Sequence, residues 1–285
     1  MPMQDHSTRD AGGRAKGRAG SGSAQVPSPN LLGRARYMRD LLRELVSRDL
    51  KIRYKRSYLG ILWSLLTPLV QVLIFSFLFQ MVLPLGIPSY TAFVFTGVLT
   101  WSWFASALGG ASWAIVANPE LVRRPGFPIG ILPVLTVASN GIHFLLALPI
   151  LVAAAVLNGG TPGVTLVALP LVILVQFLFT LSLAYIVATS NVRFRDTQHL
   201  VSLVLMAGFY LTPIFYRSQN IPDTFRFIHD LNPMAALLTA YRDILIYGAW
   251  PAPADLAMVC AVAGALMAIG YWMYVRTSVR FAEEL

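Results

Sequence analysis

The sequence predicts an all-α polytopic membrane protein, and three observations carry that reading. Charged residues make up 12% of the 285 residues and hydrophobic ones 56%, where an ordinary soluble domain carries about 25% charge. Apolar runs of membrane-spanning length recur between Leu59 and Val275, each able to cross a hydrocarbon core of about 30 Å. The formal net charge of +9 is also lopsided, with 13 of the 22 Lys and Arg preceding Tyr58. The expected architecture is six transmembrane helices, an N-terminal amphipathic interfacial helix, and short re-entrant helices between spans five and six.

Residues 1–36 form a basic tail. Its first 30 residues are rich in Gly, Ala, Ser, Pro and Arg without an apolar core, so they read as disordered and not as a signal peptide. Residues 37–56 are amphipathic. Met38, Leu41, Leu42, Leu45 and Val46 share one helical face, with Asp40, Arg43, Glu44, Ser47 and Lys51 on the other. Glu44 precedes Arg48 by one helical turn, a favourable pair. The segment is too polar to span, so it is expected to lie on the membrane surface.

Residues 57–285 form the transmembrane domain. The first span is Leu59–Leu83, interrupted by Pro68, which membrane helices tolerate when neighbours re-satisfy the freed carbonyl. The second is about Tyr90–Val116, the third about Ile129–Leu157, the fourth Val164–Thr189, the fifth a short Leu200–Phe215 and the sixth Leu256–Val275. In the long connection before the sixth, Asn232-Pro233 reads as a helix start, with Asn as the cap and Pro in the first position. Gly248 ends that helix. The short fifth span and this apolar connection together read as helices dipping partly into the membrane.

Six spans put both termini on one side, and 19 of the 22 Lys and Arg fall there. Basic residues mark the cytoplasmic face, so both termini are expected in the cytoplasm. The same rule accounts for the basic charge without nucleic acid, for which no motif is present.

The chemistry that is missing narrows the function. The spans hold no Asp, Glu, Lys or Arg away from their ends, and His143 is the exception among ionisable groups. A lone intramembrane His reads as a helix-packing donor more readily than as a proton relay. No paired carboxylates, activated nucleophile or metal-ligand spacing appears, and Cys260 stands alone. A membrane glycan-lipid transferase therefore lacks its polar constellation. The phosphate-binding pattern G-x-x-x-x-G-K-[ST] is absent as well, so the chain is expected to bind no ATP, metal or other cofactor itself. Active transport would borrow its energy from a partner.

Several stretches, in order, resemble the ABC-2 type permeases that export lipid-linked polysaccharides. Arg53-Tyr-Lys-Arg-Ser-Tyr-Leu-Gly60 with Trp63 and Pro68 resembles their start, and Gly97 with Trp101 and Phe104 their second span. Asn118, Leu121, Arg123, Arg124, Phe127-Pro128 and Pro133 are similar to their cytoplasmic coupling segment. Arg195-Asp196 and Tyr210-Leu-Thr-Pro-Ile-Phe-Tyr216 resemble the fifth-span block, and Asn232-Pro233 with Tyr241-Arg242 the stretch before the last span. The resemblance implies a homodimer in the bacterial inner membrane with two copies of an ABC ATPase, which would hold the ATP and Mg. It implies export of a glycan on undecaprenyl diphosphate or another lipid carrier. O-antigen comes first, with capsule or teichoic acid, or a permease for drugs or small lipids, as alternatives.

Candidate residues follow. The three substantial cytoplasmic pieces are the surface helix, with Arg43, Ser47 and Lys51; the segment carrying Asn118, Glu120, Leu121, Arg123 and Arg124; and the shorter loop at Asn191–His199. The first two are the expected ATPase-coupling elements. Asn118-Pro119-Glu120 can open a short helix, with Asn capping and the acid facing the positive end of the dipole. Arg53, Lys55 and Arg56 sit where an anionic carrier head group would arrive. Aromatic rings stack on the CH faces of sugars, so Phe75, Phe77, Phe79, Trp101, Trp103, Phe104, Phe209 and Tyr210 are candidates for a glycan path. Tyr216, Asn232, Pro233, Tyr241 and Arg242 mark the expected re-entrant exit region.

Overall fold

The computed structural model describes residues 31–54, 62–278 and 281. Among the described residues all regular structure is helical. Helix α1 is Leu31–Tyr54, and α2 is Leu62–Phe77, continued by a π-helical turn at Leu78–Val82. Then come α3 (Tyr90–Ala114), the one-turn α4 (Pro119–Val122) and α5 (Ile131–Leu157). A 3-10 turn at Val164–Ala168 leads into α6 (Leu169–Arg193), followed by α7 (Thr197–Leu211). Beyond it lie the short α8 (Arg226–Asp230), α9 (Pro233–Arg242) with a π-helical continuation at Asp243–Tyr247, and α10 (Pro253–Thr277).

Four of these helices are long and apolar enough to cross a membrane: Tyr90–Ala114, Ile131–Leu157, Val164–Arg193 and Pro253–Thr277. The first and fifth expected spans are shorter apolar helices, Leu66–Val82 and Thr197–Leu211. Helix α2 continues through Pro68, which removes one helical hydrogen bond. Helix α7 has 15 residues, about 22 Å of rise. It stops where Thr212 turns extended ahead of Pro213, because a residue before proline is driven out of the helical region.

Helix α3 is the centre of the bundle. It has no single apolar stripe and is buried along most of its length, and Ala92, Val94, Val98, Ala107 and Ala111 are completely inaccessible, while Ser106 and Trp113 are exposed. Helices α5 and α6 flank it, α2 and α7 cover its remaining length, and α9 meets its beginning. Helix α10 lies outside, packed along α6. There Gly270 has no room for a side chain, since a Cβ would stand 3.1 Å from the Ser182 carbonyl oxygen. Small residues at such crossings let backbones approach.

The bundle has two unlike ends. The basic end holds α1, α4 and the α6–α7 turn with Arg193 and Arg195. An apolar cluster of Ala114, Ile115, Val122, Leu132, Ala188, Val192 and the fully buried Phe281 closes it. The far end is laced by its loops: the Ser89 hydroxyl donates to the Asn158 carbonyl, and the Thr161 N–H donates to the Ile246 carbonyl (3.2 Å). Gly248 adopts φ 61° with a Cβ position only 2.6 Å from the Thr161 oxygen, so only glycine can end α9 there.

Helix α1 begins at Leu31, about two turns before the amphipathic pattern becomes clear at Met38. Residues 31–36 are thus helical and not part of the tail. Leu45 on its apolar face is buried and Met38, Leu41, Leu42 and Val46 are half-buried, while Asp40, Arg43, Glu44 and Ser47 are exposed.

Candidate functional site

The far end is built around a segment of irregular backbone. The Thr212 N–H still donates to the Gly208 carbonyl at 2.9 Å, residues 213–216 then run without helical hydrogen bonds, and Thr212 and Ile214 are buried. Backbone of this kind is tolerated at membrane depth only when protein satisfies it. Here side chains do so. The Arg242 guanidinium donates to the Ile214 carbonyl at 2.8 Å and to the Phe93 carbonyl at 3.4 Å, and its Cζ stands 3.4 Å from the Phe93 ring centroid. The Tyr90 hydroxyl donates to the Phe215 carbonyl at 3.0 Å. The Tyr216 hydroxyl caps the end of α7 by donating to the carbonyls of Tyr210 and Leu211. Asn232 donates to the Thr212 hydroxyl and accepts from the Met234 N–H at 3.0 Å, so it caps α9 as its position before Pro233 predicts. Gly97 makes the junction possible: a Cβ there would meet the Ile214 carbonyl oxygen at 2.8 Å and the Arg242 guanidinium at 3.1 Å.

This junction holds an aromatic cluster in place. Phe215 stacks on Phe75 and Phe79 at centroid distances of 5.5 and 5.6 Å. Phe209 stacks on Phe75 at 6.0 Å and meets Tyr210 edge-on at 5.4 Å. Tyr210 is 62% exposed and Phe77 lies on the open side of α2. The structure therefore brings Phe75, Phe79, Phe209 and Tyr210 together beside Tyr216. Trp103 and Phe104 make no ring contact with this cluster, Trp101 reaches only Phe209, and all three are buried. Trp103 stacks on Phe144 at 5.0 Å and donates to the Val137 carbonyl, and Phe104 stacks on Phe179. Trp101 meets Phe104 and the edge of Phe209, and lies against Gly208. Trp103 also lines a cavity between α2, α3 and α5.

At the basic end, α4 stands one turn high with Glu120, Arg123 and Arg124 exposed and Val122 buried. Pro119 occupies its first position and Gly126, at φ 77°, turns the chain away. The capping expected of Asn118 is corrected in one respect. Its side chain does not cap α4 but donates back to the Ala114 carbonyl at 2.9 Å, tying the turn to the end of α3. Arg43, Ser47 and Lys51 line an open groove on the outer face of α1. Lys55 and Arg56, with the side chain of Arg53, lie outside the described residues.

Two interior polar residues escaped the sequence reading. Gln176, buried in α6, donates to the Thr100 carbonyl and accepts from the Tyr241 hydroxyl at 2.8 Å. It pins α9 to α6 and α3. Asn140 in α5 donates to the Thr136 carbonyl. A glutamine or asparagine inside a long apolar run was the available signal, since such groups need partners in hydrocarbon.

A helical bundle with four helices of spanning length, a charged turn at one end and an irregular, side-chain-pinned segment at the other fits a membrane transport subunit. The chain belongs to the ABC-2 type transporter family, which residues 40–246 match. It is similar to two proteins of Klebsiella pneumoniae named O-antigen export system permease protein RfbA. The first is 38% identical over 213 residues, covering 74% of this chain and 82% of that protein. The second is 34% identical over 251 residues, covering 87% and 96%. A protein of the same name from Myxococcus xanthus is 36% identical over 249 residues, again covering 87% and 96%.

Proposed function

We propose that this chain is the membrane-spanning permease of an exporter that carries lipid-linked O-antigen across the bacterial inner membrane, driven by a separate ATPase subunit. The observation that carries this reading is its likeness to O-antigen export permeases over 96% of the length of two of them. The far-end cluster of Phe75, Phe79, Phe209 and Tyr210 supports it, because aromatic faces hold sugars without demanding one sugar.

In this reading α2 and α7, completed by the irregular segments that follow them, are the two spans added to the four long ones. The basic end faces the cytoplasm, α1 lies in the interface, and α8 and α9 re-enter the membrane from outside. Two copies of the chain and two ATPases make the working unit. Arg43, Ser47 and Lys51 on α1, together with Asn118, Glu120, Leu121, Arg123 and Arg124 around α4, receive the ATPase. Arg53, Lys55 and Arg56 meet the anionic head group of the carrier. ATP and Mg reside on the partner.

The test is loss and return of the gene in cells that make the glycan. Without this chain, lipid-linked glycan should accumulate on the cytoplasmic side and vanish from the surface, and plasmid-borne wild type should restore it. Surface glycan at the wild-type level in the deletion strain would refute the reading.

A further inference from the structure

Between α2, α3 and α5 lies a cavity of about 400 Å³ whose lining does not suit hydrocarbon. Thr67 comes from α2, Ser102 and Ser106 from α3, and Asn140 and His143 from α5, with Trp103 and Phe144 forming an apolar wall. Ser102 and Ser106 are one turn apart and so share a face. In spanning helices a hydroxyl ordinarily folds back onto the carbonyl one turn earlier, as those of Thr96, Thr136 and Thr239 do. Those of Thr67, Ser102 and Ser106 do not: none bonds to another described residue. Asn140 commits its N–H to Thr136 at 2.8 Å and leaves its side-chain oxygen for the cavity.

The lining contains no Asp, Glu, Lys or Arg, and His143 is its one His. A phosphate would find no Lys or Arg in it, and an acyl chain would strand several polar groups at about 1–3 kcal/mol each. Three hydroxyls and an amide oxygen facing an apolar wall match a neutral ligand with hydroxyls on its edge and CH groups on its face. The volume falls within the range of small-molecule sites, about 300–1,000 Å³. Gly110 also lines a second crevice, which holds Arg48 and Asp49 of α1, so the cavity lies toward the basic end.

We propose that this cavity is a saccharide site that holds one neutral sugar unit of the exported glycan, a proposal that rests on the export reading above. It is distinct from the far-end aromatic cluster and lies nearer the side where the substrate arrives. The test uses the full chain with its ATPase in glycan-producing cells. A photoreactive p-azidophenylalanine replaces Ser106, Tyr210 at the far end or the lipid-facing Leu171, and the cross-linked chain is probed for glycan and for phospholipid. Positions 106 and 210 should carry glycan and position 171 only phospholipid. Glycan at 210 with none, or only phospholipid, at 106 overturns the site and leaves the export reading standing. Glycan at neither overturns both. Independently, Ser102→Ala with Ser106→Ala should lower export roughly tenfold at limiting glycan, the effect of losing two hydroxyl hydrogen bonds. Export at the wild-type rate would overturn the site.

Discussion

Helices α3 and α7 are both apolar, yet the protein treats them in opposite ways. Helix α3 is buried along most of its length, with Ser106 and Trp113 its exposed residues. Helix α7 has no buried residue, and Leu203, Val204, Met206 and Tyr210 are exposed along it. Behind α7 an apolar cavity of about 360 Å³ runs from Thr197 to Asn232 between it and α3 and α6. Helix α3 is therefore fixed by dense packing. Helix α7 is held at its two ends, by the Gln198 N–H bonded to the Asn191 side chain at its start and by Arg242, Tyr90, Tyr216 and Asn232 around the segment that follows it. A helix tied at its ends with a cavity behind its middle can shift without unfolding its neighbours, which a transporter requires of part of its wall.

The largest effect that could break this comparison lies in the rings. Trp103→Ala should cost about 3–5 kcal/mol, as for any large aromatic removed from a packed core. Tyr210→Ala should stay within about 0.5 kcal/mol, as for a surface site. Unfolding in mixed detergent measures both, and similar losses would erase the distinction. Export defects at Trp101 or Trp103 would then have to be separated from simple destabilisation, whereas a defect at Tyr210 would report on the path itself.

Arg242 gives an intermediate effect. Removing a guanidinium that serves a buried carbonyl costs about 1.5–3 kcal/mol. Arg242→Ala should release residues 212–216 and the end of α7, read as faster amide exchange there with α3 amides unchanged. Arg242→Lys should recover only part, because an ammonium cannot reproduce the planar fork stacked on Phe93. Equal acceleration in α3 would show that the two helices are coupled and not contrasted. The smallest effect comes from one methylene. Val201→Leu extends into the cavity behind α7 and should stabilise the fold by about 0.8 kcal/mol. The same change at the inaccessible Val98 should destabilise it by overpacking. A loss at both positions would mean that the space behind α7 is not available.

Much of this was legible in the sequence, for reasons that can be named. The starts and stops of α3, α5 and α9 follow from local chemistry: Tyr90 after a Pro-rich turn, Asn158-Gly159 after Leu157, Asn232-Pro233, and Gly248. The inner rings were not legible. Helix α3 has no single apolar stripe, so no face announces itself and Trp101, Trp103 and Phe104 could have pointed anywhere. Arg242 reads as one of three basic residues in the far-end connection. Its place four residues after Leu238 and eight after Met234 puts it on the apolar face of α9, and that spacing was the overlooked signal. The tie from Asn118 to Ala114 depends on how the chain leaves α3, which no local pattern encodes.

The apolar socket at the basic end has a mechanical consequence. Residues Val122 and Leu121 of the charged turn sit in a pocket whose other walls come from the ends of α3, α5, α6 and α10, with Phe281 as its plug. Among the described residues, neither α2 nor α7 contributes to it. A force applied at Glu120 would therefore be shared among the four helices that line the socket. Such a division would let those four move as one body, a stator against which α2 and α7 could slide as a pair of shutters.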